Sequence, residues 1–116
     1  MKMALIALLS LVAASALAAD GYKVAGRQGA MVFVSVDKSQ KDNEDVYRIA
    51  VAESCAGRAI CNVHFWVGQA ASRLPMTDAQ VNSKVVTWQQ NLNTGLRRWV
   101  VNCKTTDVFK GDRECG

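Results

Sequence analysis

The chain has 116 residues, of which 14 are Lys or Arg and 10 are Asp or Glu, so its formal net charge is +4 with the single histidine neutral. This length predicts one small domain. The basic residues are scattered, with Arg97-Arg98 as the only adjacent pair, and this excludes the dense basic stripe with interleaved aromatic residues that nucleic-acid binding needs.

Residues 1–18 are predicted to be a cleaved secretory signal peptide. Lys2 supplies a positive charge, Ala4–Ala14 is almost entirely apolar, and Ala16–Ala18 has the small-x-small pattern of a cleavage site. The apolar run is shorter than the roughly 20 residues of a membrane-spanning helix. We therefore expect residues 19–116 to form a single exported domain, periplasmic or secreted, with no membrane span after the signal is removed.

Four cysteines in the mature part predict two disulfides, because an even count in an exported chain is typical of a disulfide framework. They are Cys55, Cys61, Cys103 and Cys115. Three pairings are open, and Cys55–Cys61 with Cys103–Cys115 is preferred because short separations close most easily. The spacings differ from those of zinc sites, so neither a metal nor another cofactor is predicted.

The first half of the mature chain predicts an arm, a strand and a helix. Asp20–Gly29 is polar and contains three glycines, which predicts an irregular N-terminal arm. Met31–Val36 is β-branched and aromatic, which is typical of a strand. Asp42 or Asn43 is placed to cap a helix, and Gly57 is a natural stop for it.

The second half predicts a strand, a helix and a strand, followed by a polar tail that Cys115 ties back to the body. Ile60–Val67 alternates apolar and polar residues, 68–75 is a loop, and Thr77 and Gln80 form a capping box. The helix after this box is expected to carry Val81, Val85, Trp88 and Leu92 at helical spacing and to end at Asn93-Thr94-Gly95. Leu96–Cys103 is expected to be the last strand.

The predicted order of elements is therefore β-α-β-α-β. This indicates an α+β fold, a small two-layer domain in which a disulfide-stabilised, three-stranded sheet carries two helices on one face. Long aliphatic strands buried on both sides are absent from the sequence, which disfavours a doubly wound parallel sheet.

The alternation of side chains predicts one covered and one open sheet face. The sets Val32, Val34, Val36; Cys61, Val63, Phe65, Val67; and Trp99, Val101, Cys103 are expected to face the helices. The open face is expected to show Met31, Phe33, Asn62, His64, Trp66, Leu96, Arg98, Val100 and Asn102. Trp and Arg are enriched at interface hot spots, and exposed apolar patches often mark contact sites. We predict Phe33, His64, Trp66 and Arg98 as binding residues; the alternatives are that the arm, the tail or a second copy covers this face.

No catalytic residue is predicted. His64 is the only histidine, no Gly-x-Ser-x-Gly motif is present, and oxidised cysteines would leave no Cys-His pair. The acidic residues cluster at Asp42–Asp45 and Asp112–Glu114, as expected for a helix start and a solvated tail and not for a glycosidase pair. The alternative left open is a small periplasmic enzyme or ligand carrier that uses His64 with a carboxylate across a pocket.

Three segments together resemble a pattern in small, exported, uncharacterised bacterial proteins. They are Cys61–Trp66, Leu74–Gln80, and Asn93–Gly95 followed by Trp99–Cys103. The resemblance covers about half of the mature chain and implies a bacterial envelope location, but no activity and no functional residue.

The sequence as a whole predicts an exported, non-enzymatic binding or interaction protein of the bacterial envelope, of inhibitor, immunity or accessory-factor type. It would contact a protein partner through the open sheet face, and a structural homodimer is the remaining alternative.

Overall fold

The computed structural model describes residues 21–68 and 77–116. The predicted signal peptide and most of the predicted loop 68–75 lie outside the described residues. The elements are β1 (Tyr22–Gln28), β2 (Met31–Val36), a 3-10 turn (Lys38–Gln40), α1 (Glu44–Ser54), β3 (Ile60–Val67), α2 (Asp78–Asn82), β4 (Val86–Asn91), β5 (Leu96–Val101) and β6 (Glu114–Cys115).

The six strands of the described residues form one mixed sheet in the order β1-β2-β3-β4-β5-β6. The pairs β2–β3 and β5–β6 are parallel, and the other three pairs are antiparallel. Helix α1 lies in the connection from β2 to β3, as a parallel pair requires a long crossover. The predicted three-stranded sheet is therefore wrong, since the sheet is twice as wide.

The predicted irregular arm at Asp20–Gly29 is wrong because Tyr22–Gln28 is an edge strand. The glycines in this segment serve the strand pairing: the register with β2 shifts between Val24 and Gly26, a β-bulge. Gly29 then begins a two-residue hairpin turn with φ of 60°, and its partner Ala30 has no positive φ, which is the pattern of a type II′ turn.

The predicted long second helix is also wrong, because α2 ends at Asn82. Its capping box is confirmed. The Thr77 hydroxyl accepts a hydrogen bond from the backbone N–H of Gln80 at 3.1 Å, and the side-chain oxygen of Gln80 accepts one from the backbone N–H of Thr77 at 2.8 Å. Beyond it, β-branched and aromatic residues favour a strand, and Val86–Asn91 pairs with β3 and β5. Asn93–Gly95 is the turn between β4 and β5, not a helix end.

The helix side of the sheet holds the main core, and the predicted helix-facing residues lie in it or pack against it. Helix α1 is capped by Asn43, whose side chain accepts from the Asp45 N–H at 3.1 Å. Its buried residues include Val46, Tyr47 and Ala50. The C-terminal segment adds Val108 and Phe109 to the same core, so the tail does not cover the other face through Phe109.

Both predicted disulfides are confirmed, Cys55–Cys61 and Cys103–Cys115. The second bridge ties the C-terminal segment to the body, with β6 as the edge strand opposite β1. Disulfides are typical of oxidising, extracellular compartments, and this indicates that the protein works in one. None of the helices in the described residues is long and apolar enough to cross a membrane.

Replacing Cys103 and Cys115 together by serine is expected to lower the free energy of unfolding by about 3 kcal/mol, the loop-entropy value for a ring of this size. Urea unfolding followed by tryptophan fluorescence measures the loss. The exposed neighbour Lys104→Ser is the control and should change little. An unshifted midpoint in the double variant would show that the non-covalent contacts of the tail hold it without the bridge.

Candidate functional site

The outer face is the sheet face that points away from α1. Its side chains form rows across the paired strands, one containing Phe33, His64, Thr87 and Val100, and the next containing Met31, Asn62, Gln89 and Arg98. Phe33, His64 and Trp66 thus lie together on β2 and β3, whereas Arg98 lies in another row on β5. The sheet brings three of the four predicted binding residues into one cluster.

The three rings of this cluster touch one another. The Phe33 ring centroid lies 5.9 Å from that of His64 and 6.0 Å from that of Trp66. Phe33 is only 5% exposed and Trp66 only 2%, and the two form a small second core separate from the main one. A partner therefore reaches only His64 and Arg98 of the four without a rearrangement.

Helix α2 packs on this outer face. The Trp66 indole Nε1 donates a hydrogen bond to the Gln80 carbonyl at 2.6 Å, so the buried ring satisfies its one polar group. Because Trp66 points away from α1, the two helices contact opposite faces of the sheet. This corrects the second part of the predicted fold, which placed both helices on one face.

His64 is held beside Lys84, the second residue after α2. The Lys84 ammonium Nζ lies 3.3 Å from His64 Nδ1. Burial, with a smaller contribution from the Lys84 charge, lowers the pKa of His64 from 6.5 to about 4. The imidazole is therefore neutral at pH 7, and since an ammonium only donates, Nδ1 is the acceptor and Nε2 carries the ring proton.

A cleft of about 360 Å³ opens beside this pair. Its polar lining side chains are those of His64, Asn82, Lys84, Thr87, Gln89 and Asn102. No Asp or Glu side chain is among the described residues that line it. Burial lowers the pKa of Lys84, and within residues 21–68 and 77–116 the hydrogen-bond partner of its ammonium is His64 alone.

Arg98 is exposed and already has two partners. Its Nε donates to Gln89, and its NH1 group lies 3.1 Å from Glu114 on β6. An ion pair this exposed contributes little to stability, and its Arg remains accessible from solvent. Arg98 therefore does not line the His64 cleft, although its partner Gln89 does, and unlike Lys84 it is already paired with a carboxylate.

The sequence analysis missed Lys84, and it identified Gln80 only as part of the capping box and not as the partner of Trp66. In the predicted helix, which continued to Leu92, Lys84 had no assigned role. Nothing in the sequence shows that α2 packs over β3. The contact between Lys84 and His64 depends on where the five-residue helix α2 ends, and residue spacing alone does not predict that end.

No family model matches the chain, and no curated protein and no solved structure matches it. In the described ranges, no group of three His, Cys, Asp or Glu side chains is placed to hold a metal ion. The binding role of Phe33, His64, Trp66 and Arg98 stays a prediction.

The pKa of His64 is expected near 4 in the folded protein, measured from its ring proton shifts in tag-free protein, where it is the only histidine. Because the unfolded chain binds this proton near pH 6.5, it holds more protons than the folded state between these values. The free energy of unfolding should therefore fall as pH drops through this window. His64→Gln should remove this pH dependence of the free energy of unfolding. Lys84→Met should raise the pKa of His64 only part of the way back to 6.5, because burial is the larger cause of the shift. A folded pKa near 6.5 would contradict the buried placement.

Trp66→Phe is expected to cost about 1 kcal/mol from the lost hydrogen bond, plus a small packing term. The Gln80 carbonyl keeps a second donor, the Ser83 hydroxyl at 2.9 Å, so it is not left unpaired. Hydrogen exchange should quicken in α2 and leave β4 and β5 unchanged. Ser83→Ala removes the exposed donor to the same oxygen and should be nearly neutral; equal losses for the two variants would refute the docking role of Trp66.

Proposed function

We propose that the protein is an exported, non-enzymatic binding protein of the bacterial envelope, of inhibitor, immunity or accessory-factor type. It works in the periplasm or outside the cell after removal of residues 1–18. Its outer face contacts a protein partner that places an acidic side chain against Lys84 and His64.

The observation that carries this proposal is the Lys84 ammonium, which has no ion-pair partner in the described part of the chain. Removing part of the hydration of a charge is costly unless another charge or hydrogen bonds compensate. His64 offers one neutral acceptor at 3.3 Å, and no acidic side chain of the described lining completes the site. A carboxylate from a partner supplies the missing charge.

The surroundings of the cleft support a macromolecular partner. The outer face exposes apolar Met31 and Leu96 along with Arg98. Interfaces combine such apolar contacts with a polar rim, and these exposed side chains around the cleft offer contact area to a protein partner.

The same geometry supports binding over catalysis. A general base at neutral pH needs a pKa near 7 and an orienting partner. A pKa near 4 makes His64 a weak base, and its ring nitrogen faces a cation where a triad would place a carboxylate.

The test is capture of a partner from envelope extract by the oxidised mature protein, compared with the Lys84→Met, Arg98→Gln variant. We expect this variant to bind the partner at least about tenfold more weakly, since a hydrogen-bonded charge pair contributes some 1.5–3 kcal/mol. The measurement is titration of the purified partner by calorimetry.

The matched control is Lys104→Met, Lys110→Gln, which removes the same charge from exposed sites on the C-terminal segment and should bind normally. Sedimentation of the protein alone shows whether the partner is a second copy of the chain. Equal affinity of wild type and the outer-face variant would contradict the proposal.

A further inference from the structure

A second candidate site lies on the helix side of the sheet, where α1 leaves β4 and β5 partly uncovered. Four aromatic rings form a row there. The ring centroids of Tyr47 and Phe109 are 6.2 Å apart, those of Phe109 and Trp99 are 4.0 Å apart, and those of Trp99 and Trp88 are 4.8 Å apart. Two guanidinium groups stack on rings of this row: Arg97 lies 5.8 Å from Trp88 at one end, and Arg48 lies 5.0 Å from Phe109, the second ring from the other end.

The row is held in a conformation that costs backbone strain. Phe109 has a φ of 55°, a left-handed value that bulky residues rarely adopt and that persists only where the surroundings enforce it. Its N–H donates to the Glu44 side chain at 2.8 Å, and Arg113 holds the preceding carbonyl, that of Val108, at 3.0 Å. These contacts fix the Phe109 ring flat against Trp99, with 10° between the planes.

A groove of about 380 Å³ runs between this row and the last turns of α1. Its walls are mostly apolar, formed by Val51, Ala52, Cys55, Ala56, Trp88 and Trp99. Trp88 and Trp99 are 8% and 7% exposed, so only the edges of their rings reach the groove. A volume of this size lies at the lower end of the range for small-molecule sites.

Among the described residues that line the groove, one polar side chain is free to bind a ligand. The Trp88 indole donates to the Gln90 side chain, and Gln90 in turn donates to the Arg58 carbonyl. Arg48 is paired with Glu44 and Asp45. Arg97, in contrast, has neither an ion pair nor a hydrogen bond in the described part of the chain, and stacking on Trp88 leaves the N–H edge of its guanidinium open.

We propose that this groove binds a carboxylate joined to an apolar group, with the apolar group between α1 and the two tryptophans and the carboxylate on Arg97. Guanidinium geometry matches a carboxylate in bidentate fashion, and the stacking on Trp88 holds it in place before the ligand arrives. This site is independent of the outer face and of the proposed function.

The test uses the three tryptophans as reporters in a nitrogen-15 spectrum of the oxidised mature protein. Titration with 4-phenylbutyrate should shift the indole signals of Trp88 and Trp99, while that of Trp66 on the opposite face should stay in place. The neutral 4-phenylbutanamide has the same shape without the charge, and it should bind at least about tenfold more weakly.

Three variants complete the experiment. Arg97→Gln should reduce the affinity for the acid to that for the amide, and Ala52→Leu should block both ligands by filling the groove. Lys104→Gln removes an exposed charge elsewhere and should leave binding unchanged. An unshifted Trp66 signal in each variant shows that the fold is intact.

A free organic acid and the C-terminus of a peptide with an apolar last residue offer this same chemistry. A parallel titration with acetyl-glycyl-glycyl-phenylalanine separates the two sources: tighter binding than 4-phenylbutyrate assigns the peptide, and weaker binding assigns the free acid. The proposal is overturned by equal affinity for acid and amide, by Trp66 shifts as large as those of Trp88 and Trp99, or by no shift at millimolar ligand.

Discussion

Strand β3 is the element on which both layers of this protein depend. It pairs in parallel with β2 on one side and antiparallel with β4 on the other. One set of its side chains, including Val63 and Phe65, is wholly buried against the α1 side. The other set includes Trp66, which holds α2 on the outer face. Because one face of β3 is wholly buried, its register is strongly specified: a slip of one residue would exchange the two faces.

The fold was predictable where the signals were local, even where, as for the helix cap and the disulfides, more than one candidate was open. The Asn43 cap, the Thr77–Gln80 capping box, the alternation in Ile60–Val67 and the short disulfide pairings are all found in the structure. Each depends on residues no more than 12 positions apart along the chain, so local patterns in the sequence indicate it.

The errors arose where two periodicities coexist. Val81, Val85, Trp88 and Leu92 recur at helical spacing, but Val86, Trp88 and Gln90 also alternate as a strand does, and a run this short does not decide between them. Pairing with both β3 and β5 stabilises the strand, and the sequence does not show these long-range contacts.

The glycines of 20–29 were misinterpreted for a similar reason, since a bulge and a hairpin turn need glycine as much as a loop does. Once β4 is a strand, α2 is short, and Lys84 falls beside His64.

The cationic side chains around the two sites differ in what a partner would gain from them. Arg98 is exposed and already paired with Glu114, so a new carboxylate there would compete with an existing one in a strongly screened position. Lys84 has already lost part of its hydration, and no Asp or Glu side chain is among the described residues that line its cleft, so a carboxylate at that point adds an interaction without first breaking an ion pair. Arg97 is exposed, but its stacking on Trp88 restrains the side chain and lowers the entropy cost of using it. Selectivity for anionic groups on this modestly basic surface should therefore concentrate at Lys84 and Arg97, one on each face of the sheet, and not follow the overall charge.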